Sequence, residues 1–300
     1  MTGSLILSEP RFLGHPGAER ARAVAGRQAE HSLGILSALP GVPAWPAYHD
    51  DAGTAGGSAM AGTGMDAATF VGLWHRAVTA QPMPPRTLVL ACALAALLAV
   101  ASRRVWPVSR TVVTVAHEGG HALVALLTGR RLAGVRVHAN TAGVTWSAGR
   151  PTGPGIVLTT AAGYLAPPLL GLGAAALLAT GHLAGALILS LVLLAGLVFV
   201  IRNAYGLLVV LVVAGAVVVV LWRGSALVQG GFGYVMAWFL LLGGVRPVLE
   251  LNHSRRRGRS AGSDSDQLAR LTGVPGGAWI LLFGVVALGA LAVSALWLIR

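Results

Sequence analysis

Two histidines four residues apart flank a carboxylate in the stretch His117-Glu118-Gly119-Gly120-His121. On a helix of 3.6 residues per turn, positions four apart lie one above the other, so both imidazoles can reach a single metal ion. Glu118 then stands beside that ion, where it can act as a base toward a water held there. With nine His and five Glu in 300 residues, this pattern is expected by chance only ~0.004 times. A catalytic zinc needs a third protein ligand and one open position. Residues 87–300 offer few candidates: besides Glu118, the carboxylates there are Glu250, Asp264 and Asp266.

Asp264 opens a short helical pattern and shares a face with Leu268 and Leu271, which turns it toward apolar surroundings. Asp266 lies four residues before Arg270, a spacing that suits a solvated ion pair. Ser263 with Asp266 also resembles a capping box, in which the acids serve the helix and not a metal. Asp264 is therefore the leading third ligand, with Asp266, Glu250 and His253 as alternatives. The competing structural role for the two histidines and Glu118 is polar glue between helices, which obeys no spacing rule. Gly119 and Gly120 are costly in a helix, so close approach by a neighbour is expected beside the histidines.

The elements that must position these residues are membrane helices. Hydrophobic residues make up 55% of the chain, charged residues 11%, and the mean hydropathy is +0.73. A soluble enzyme is excluded, because a globular domain carries roughly 25% charged residues. Seven apolar runs are candidate spans: 88–102, 111–128, 156–180, 183–201, 204–222, 226–245 and 278–299. The first is short: at ~1.5 Å per residue it covers about 22 Å of a roughly 30 Å hydrocarbon layer. The His-Glu motif lies within the second, where ionisable groups are costly and face a bundle interior or a watery cavity. Pro167-Pro168 is expected to bend the third. The fold expected is all-α and polytopic, with six or seven transmembrane helices.

Residues 1–85 differ in composition and read as a largely disordered cytoplasmic tail, ahead of a membrane domain over 86–300. Met65 is also a plausible start of a shorter chain. The connection 129–155 alternates through Val135-Arg136-Val137-His138-Ala139, turns at Asn140-Thr141-Ala142-Gly143 and continues through Val144-Thr145-Trp146, a β-hairpin pattern.

All 22 basic residues are Arg, and the net charge is +12. If all seven runs cross, the tail and the connections 129–155, 202–203 and 246–277 hold 17 of them and the opposite side 5. That bias puts the N-terminus in the cytoplasm of a multi-pass cell-membrane protein. The cluster Arg255-Arg256-Arg257-Gly258-Arg259 suits anionic lipid. No basic stretch interleaves with aromatics, so nucleic acid is not an expected partner. The single Cys92 builds neither an intrachain disulfide nor a thiolate metal site. His138 and His182 read as ordinary polar residues near loops. Arg202-Asn203, at a span boundary, could contribute to an oxyanion site.

Together, His117-Glu118-Gly119-Gly120-His121, the stretch Gly163-Tyr164-Leu165-Ala166-Pro167, and Ser263-Asp264 before Thr272-Gly273-Val274-Pro275 resemble the site-2 protease family of intramembrane zinc metallopeptidases. The likeness is greatest to its compact bacterial branch and covers about residues 87–300. Better-known members carry an Asp-Gly pair after an Asn-Pro motif near the end; this chain has no such pair there. The resemblance implies Zn2+ held by His117, His121 and the late acidic motif, Glu118 as catalytic base, and transmembrane proteins as substrates. It also implies an edge strand near the zinc that receives substrate in extended form. Two other functions compete: a zinc-binding membrane scaffold or chaperone without proteolysis, and a transporter using the same groups as a relay. Oligomeric state is not legible.

Overall fold

The computed structural model of the chain describes residues 67–140 and 142–300. The expectation of a disordered tail over residues 1–66, and Thr141 of the hairpin turn, lie outside the described residues. Within the remainder of the stretch read as tail, α1 spans Ala67–Val78. It is followed by α2 (Arg86–Ala101), α3 (Trp106–Leu127), β1 (Arg131–Val137), β2 (Gly143–Ala148), α4 (Pro154–Ala179), α5 (Leu183–Val200), α6 (Ala204–Arg223), α7 (Ala226–Arg256), α8 (Asp264–Thr272) and α9 (Gly276–Leu298).

Five helices, α4 to α7 and α9, are each long and apolar enough to cross a membrane. The pair α2 and α3 meets that test only jointly and is bent by 103° at the break between its members. The chain is therefore a helical, multi-pass membrane protein with five or six candidate crossings and one small hairpin among the described residues. The lower count follows because neither member of that pair crosses alone: α2 has only 16 residues, too few at 1.5 Å per residue, and α3, long enough at 22 residues, carries the polar Arg110, His117, Glu118 and His121. The backbone N–H of Gln81 donates to the carbonyl of Gly181 at 2.8 Å. That bond holds the residues ahead of α2 at the end of the bundle where α4 gives way to α5, away from the hairpin.

Local chemistry sets the helix ends. Pro154 occupies the first turn of α4, where its missing N–H is not needed. Ser225 and Ser263 cap α7 and α8 by accepting from the backbone N–H of Val228 and Asp266. Gly273, left-handed at φ 75°, ends α8. The helix α4 runs through Pro167 and Pro168 as one element, with both prolines buried. At 31 residues, α7 is longer than a hydrocarbon layer requires and carries its basic end, Arg255 and Arg256, beyond it.

Two compact clusters hold the parts that matter for chemistry. Tyr164, Val248, Leu251, Leu268, Ile280 and Phe283 pack α8 against α4, α7 and α9. Val115, Ala122, Val135, Val137, Ile201 and Val210 pack the hairpin against α3 and the α5–α6 junction. Within lipid such packing, rather than escape from water, holds helices together. Gly120 permits close approach of α4: a side chain there would overlap Ala166 and the carbonyl of Ala162. A Cβ at Gly119 would make only ordinary contact with Leu197, so the expected crowding applies to one glycine of the pair.

Candidate metal centre and its supporting hairpin

His117 and His121 rise from the middle of α3, while Asp264 arrives 143 residues later as the first residue of α8. The three meet. His117 Nε2 and His121 Nε2 are 3.1 Å apart, and Asp264 Oδ2 lies 3.2 Å from the first and 3.4 Å from the second. His121 and Asp264 are buried; the His117 side chain keeps 16% exposure.

These separations fit a metal ion. Ligand atoms about 2.0–2.1 Å from a tetrahedral zinc stand about 3.3 Å from one another. His121 donates from Nδ1 to the carbonyl of Thr159 at 2.7 Å, which leaves Nε2 of the neutral ring as a lone pair. Neither oxygen of Asp264 accepts a hydrogen bond from the described residues. Lone pairs at such distances repel unless positive charge lies among them, and a single proton can bridge only one pair of the three. An ion at their centre serves all three. Two imidazoles with one carboxylate is also a donor set that zinc accepts.

The first turns of α4 shape the space beside the donors. A Cβ at Gly163 would overlap His121 Nε2 and come within 2.6 Å of His117 Cε1, so only glycine fits. The next residue, Tyr164, meets the His117 ring edge-on at 4.9 Å and stacks on Phe283 at 5.1 Å. Tyr164 also lines a polar cavity of about 270 Å³ together with Arg110, Glu250, Ser254, Ser260 and Ser263.

Glu118 faces the hairpin. Thr145 donates from its hydroxyl to Glu118 Oε2 at 2.6 Å, and Gly143 packs so tightly on the carboxylate that a Cβ there would overlap it. Ser147, on the same face of β2, accepts from Nε of buried Arg130 at 3.1 Å. The inward positions of β2 are thus Gly143, Thr145 and Ser147, small or polar where a strand against a bundle would ordinarily be apolar. They match two buried charges of opposite sign. That Gly-x-Thr-x-Ser alternation is the signal by which the sequence could have revealed Thr145.

The remaining candidates sit elsewhere. Glu250 is bonded by Arg110 at 3.1 Å, Arg246 at 3.0 Å and the indole N–H of Trp106 at 3.1 Å. Asp266 pairs with Arg255 at 2.6 Å and accepts from Ser260 at 3.0 Å, in place of the expected Arg270. His253 is exposed and lines the polar cavity without entering the cluster. His182 stands at the N-cap position of α5 without a capping bond from its side chain, and the His138 backbone closes the hairpin turn onto Ala142. Asn203 is engaged in the fold: its amide accepts from Val137 N at 3.1 Å and donates to Val137 O at 2.7 Å. Arg202 donates to the carbonyl of Phe199. Neither is arranged as the oxyanion donor considered from the sequence.

Compared with known proteins, the chain matches the family model described as Peptidase M50B-like over residues 90–294. No curated protein and no solved structure matches. The matched segment runs from α2 into α9 and includes the His-Glu motif, the hairpin and Asp264. The chain belongs to the M50B-like peptidases, a site-2 protease family of membrane proteins.

Proposed function

We propose that the protein is a zinc metallopeptidase that cleaves membrane-protein segments within or at the edge of the bilayer. The observation that carries this reading is the mutual spacing of His117, His121 and Asp264, 3.1–3.4 Å on every side. His117 Nε2, His121 Nε2 and Asp264 Oδ2 would hold the ion. Bound zinc would supply a Lewis acid for the scissile carbonyl and an acidified water as nucleophile. Glu118 takes the proton from the attacking water and delivers it to the departing amine. Gly163 keeps the approach to the donors clear, and the Thr159 carbonyl fixes the tautomer and orientation of His121. Water enters by the polar cavity beside Tyr164.

A scissile carbonyl in an intact helix is hydrogen-bonded and shielded, so a transmembrane substrate has to unwind before attack. The hairpin supports capture of an extended segment by strand addition. The outer edge of β1 is occupied by Ile201, Arg202 and Asn203, whereas β2 pairs with no described strand besides β1. The substrate strand adds to β2, the strand that touches Glu118.

The hairpin end of the bundle faces the cytoplasm of a cell-membrane protein. Its links carry Arg130, Arg131, Arg136, Arg150, Arg202 and the Arg255–Arg259 cluster, which meets anionic lipid. With α2 and α3 making one passage, the residues around α1 then lie at the other face. This reverses the side given to them by seven independent spans.

The test is metal analysis of the purified protein, wild type beside His117→Ala. About one zinc per wild-type chain and a clear loss in the variant are expected; equal metal in both would remove the basis of the reading.

A further inference from the structure

Glu118 and Thr145 are both buried, at 1% and 0% exposure, and are joined by the 2.6 Å bond from the threonine hydroxyl to Oε2. A carboxylate rotates through a broad torsional range, so a base in a dry site works well only if something sets its plane. A short O–H···O⁻ bond does so, being roughly twice as strong as a neutral one.

The holder is itself stiff. Thr145 is β-branched, is paired with Val135 in the ladder, and its strand is tied two residues on by Ser147 to Arg130. Gly143 closes the arrangement from the other side, because its missing side chain lets the strand backbone rest on the carboxylate. The approach of the Thr145 hydroxyl to the Glu118 carbonyl, 3.3 Å, places the threonine over the motif helix as well as over its side chain.

We propose that Thr145 is a positioning residue that orients Glu118 for proton transfer and so couples the base to β2, which pairs with no described strand besides β1 and is the strand proposed to receive substrate. The proposal rests on the peptidase reading above. The hairpin thereby acquires a double role, since β2 holds the base with one face while its edge receives the chain to be cut.

The experiment uses the full chain in liposomes, loaded with zinc, and a panel of quenched-fluorescent single-span peptides. Wild type, Thr145→Val, Thr145→Ser and Glu118→Gln are compared for kcat, KM and zinc per chain. Thr145→Val is expected to lose at least tenfold in kcat, with KM within twofold of wild type and zinc unchanged. Thr145→Ser, which restores the hydroxyl, returns to within threefold of wild type. An unimpaired Thr145→Val overturns the proposal, and so does a Thr145→Ser as slow as the valine variant, since shape and not the hydroxyl would then matter. Loss of zinc from Thr145→Val overturns it too, by placing the effect on the metal. These outcomes, with Glu118→Gln inactive, leave the peptidase reading standing. A Glu118→Gln protein that cleaves like wild type, or a zinc-loaded wild type that cleaves nothing in the panel, removes that reading and the role of Thr145 together.

Discussion

His121 turns its Nδ1 to the carbonyl of Thr159, 2.7 Å away on α4, and its Nε2 toward His117 and Asp264. One backbone acceptor thus decides which nitrogen is offered to a cation, and it comes from the helix that carries Gly163 and Tyr164. The motif helix supplies the imidazoles; its neighbour supplies their orientation.

The role proposed for Glu118 can be separated from that proposed for the His117–His121–Asp264 cluster. Glu118→Gln keeps the size of the side chain and removes its basicity, so zinc content is expected to stay at the wild-type level. Cleavage of a reporter membrane substrate should fall by about 10²–10⁴-fold, the range for loss of a general base. Retained turnover would mean that another group takes the proton.

Asp264 and Asp266 should part company. Asp264→Asn removes the only carboxylate oxygen within 3.4 Å of both imidazoles among the described residues and is expected to release zinc to a chelator at least tenfold faster. Asp266→Asn breaks a partly exposed pair with Arg255, worth at most about 1 kcal/mol, and should leave zinc retention unchanged. The reverse pattern would move the third ligand two residues along α8.

Gly163→Ala adds one methyl group where it would overlap His121 Nε2. Zinc retention is expected to fall at least tenfold. Gly173→Ala, on the same helix with nothing within 4 Å of the added atom, should be silent apart from a small helix-propensity gain of about 1 kcal/mol or less. Equal zinc retention in both variants would show that α4 can yield beside the donors.

Asn203→Ala removes two hydrogen bonds that fasten Val137. Each is worth about 0.5–1.5 kcal/mol, so backbone amides of residues 131–148 should exchange roughly tenfold faster or more, while those of α7 and α9 do not change. Unaltered exchange in the hairpin would mean that the bridge between Val135 and Ile201 suffices.

The clustered histidines on α3 were readable because helical spacing is local: His117 and His121 need only each other. Asp264 was readable by a coarser route, since few carboxylates remain in the membrane region and this one shares a face with Leu268, which is fully buried. The hairpin announced itself by alternation. What escaped depends on partners distant in sequence. Thr145 lies 27 residues from Glu118, Thr159 lies 38 from His121, and Asp266 found Arg255, 11 residues before it, instead of the helical neighbour that spacing favours. The bend between α2 and α3 likewise belongs to packing. Hydropathy sees two apolar runs; the fold places Val100 and Trp106 on either side of the corner against Arg246.

A small sheet normally has two sides on which foreign chain can accumulate, and proteins guard both. Asn203 has sealed one of them here. Two copies meeting through their unguarded strands would close as a symmetric pair and stop, because neither partner has a further side to offer. Under the strand addition proposed above, the hairpin would hold unwound polypeptide without seeding fibres in the crowded plane of a membrane.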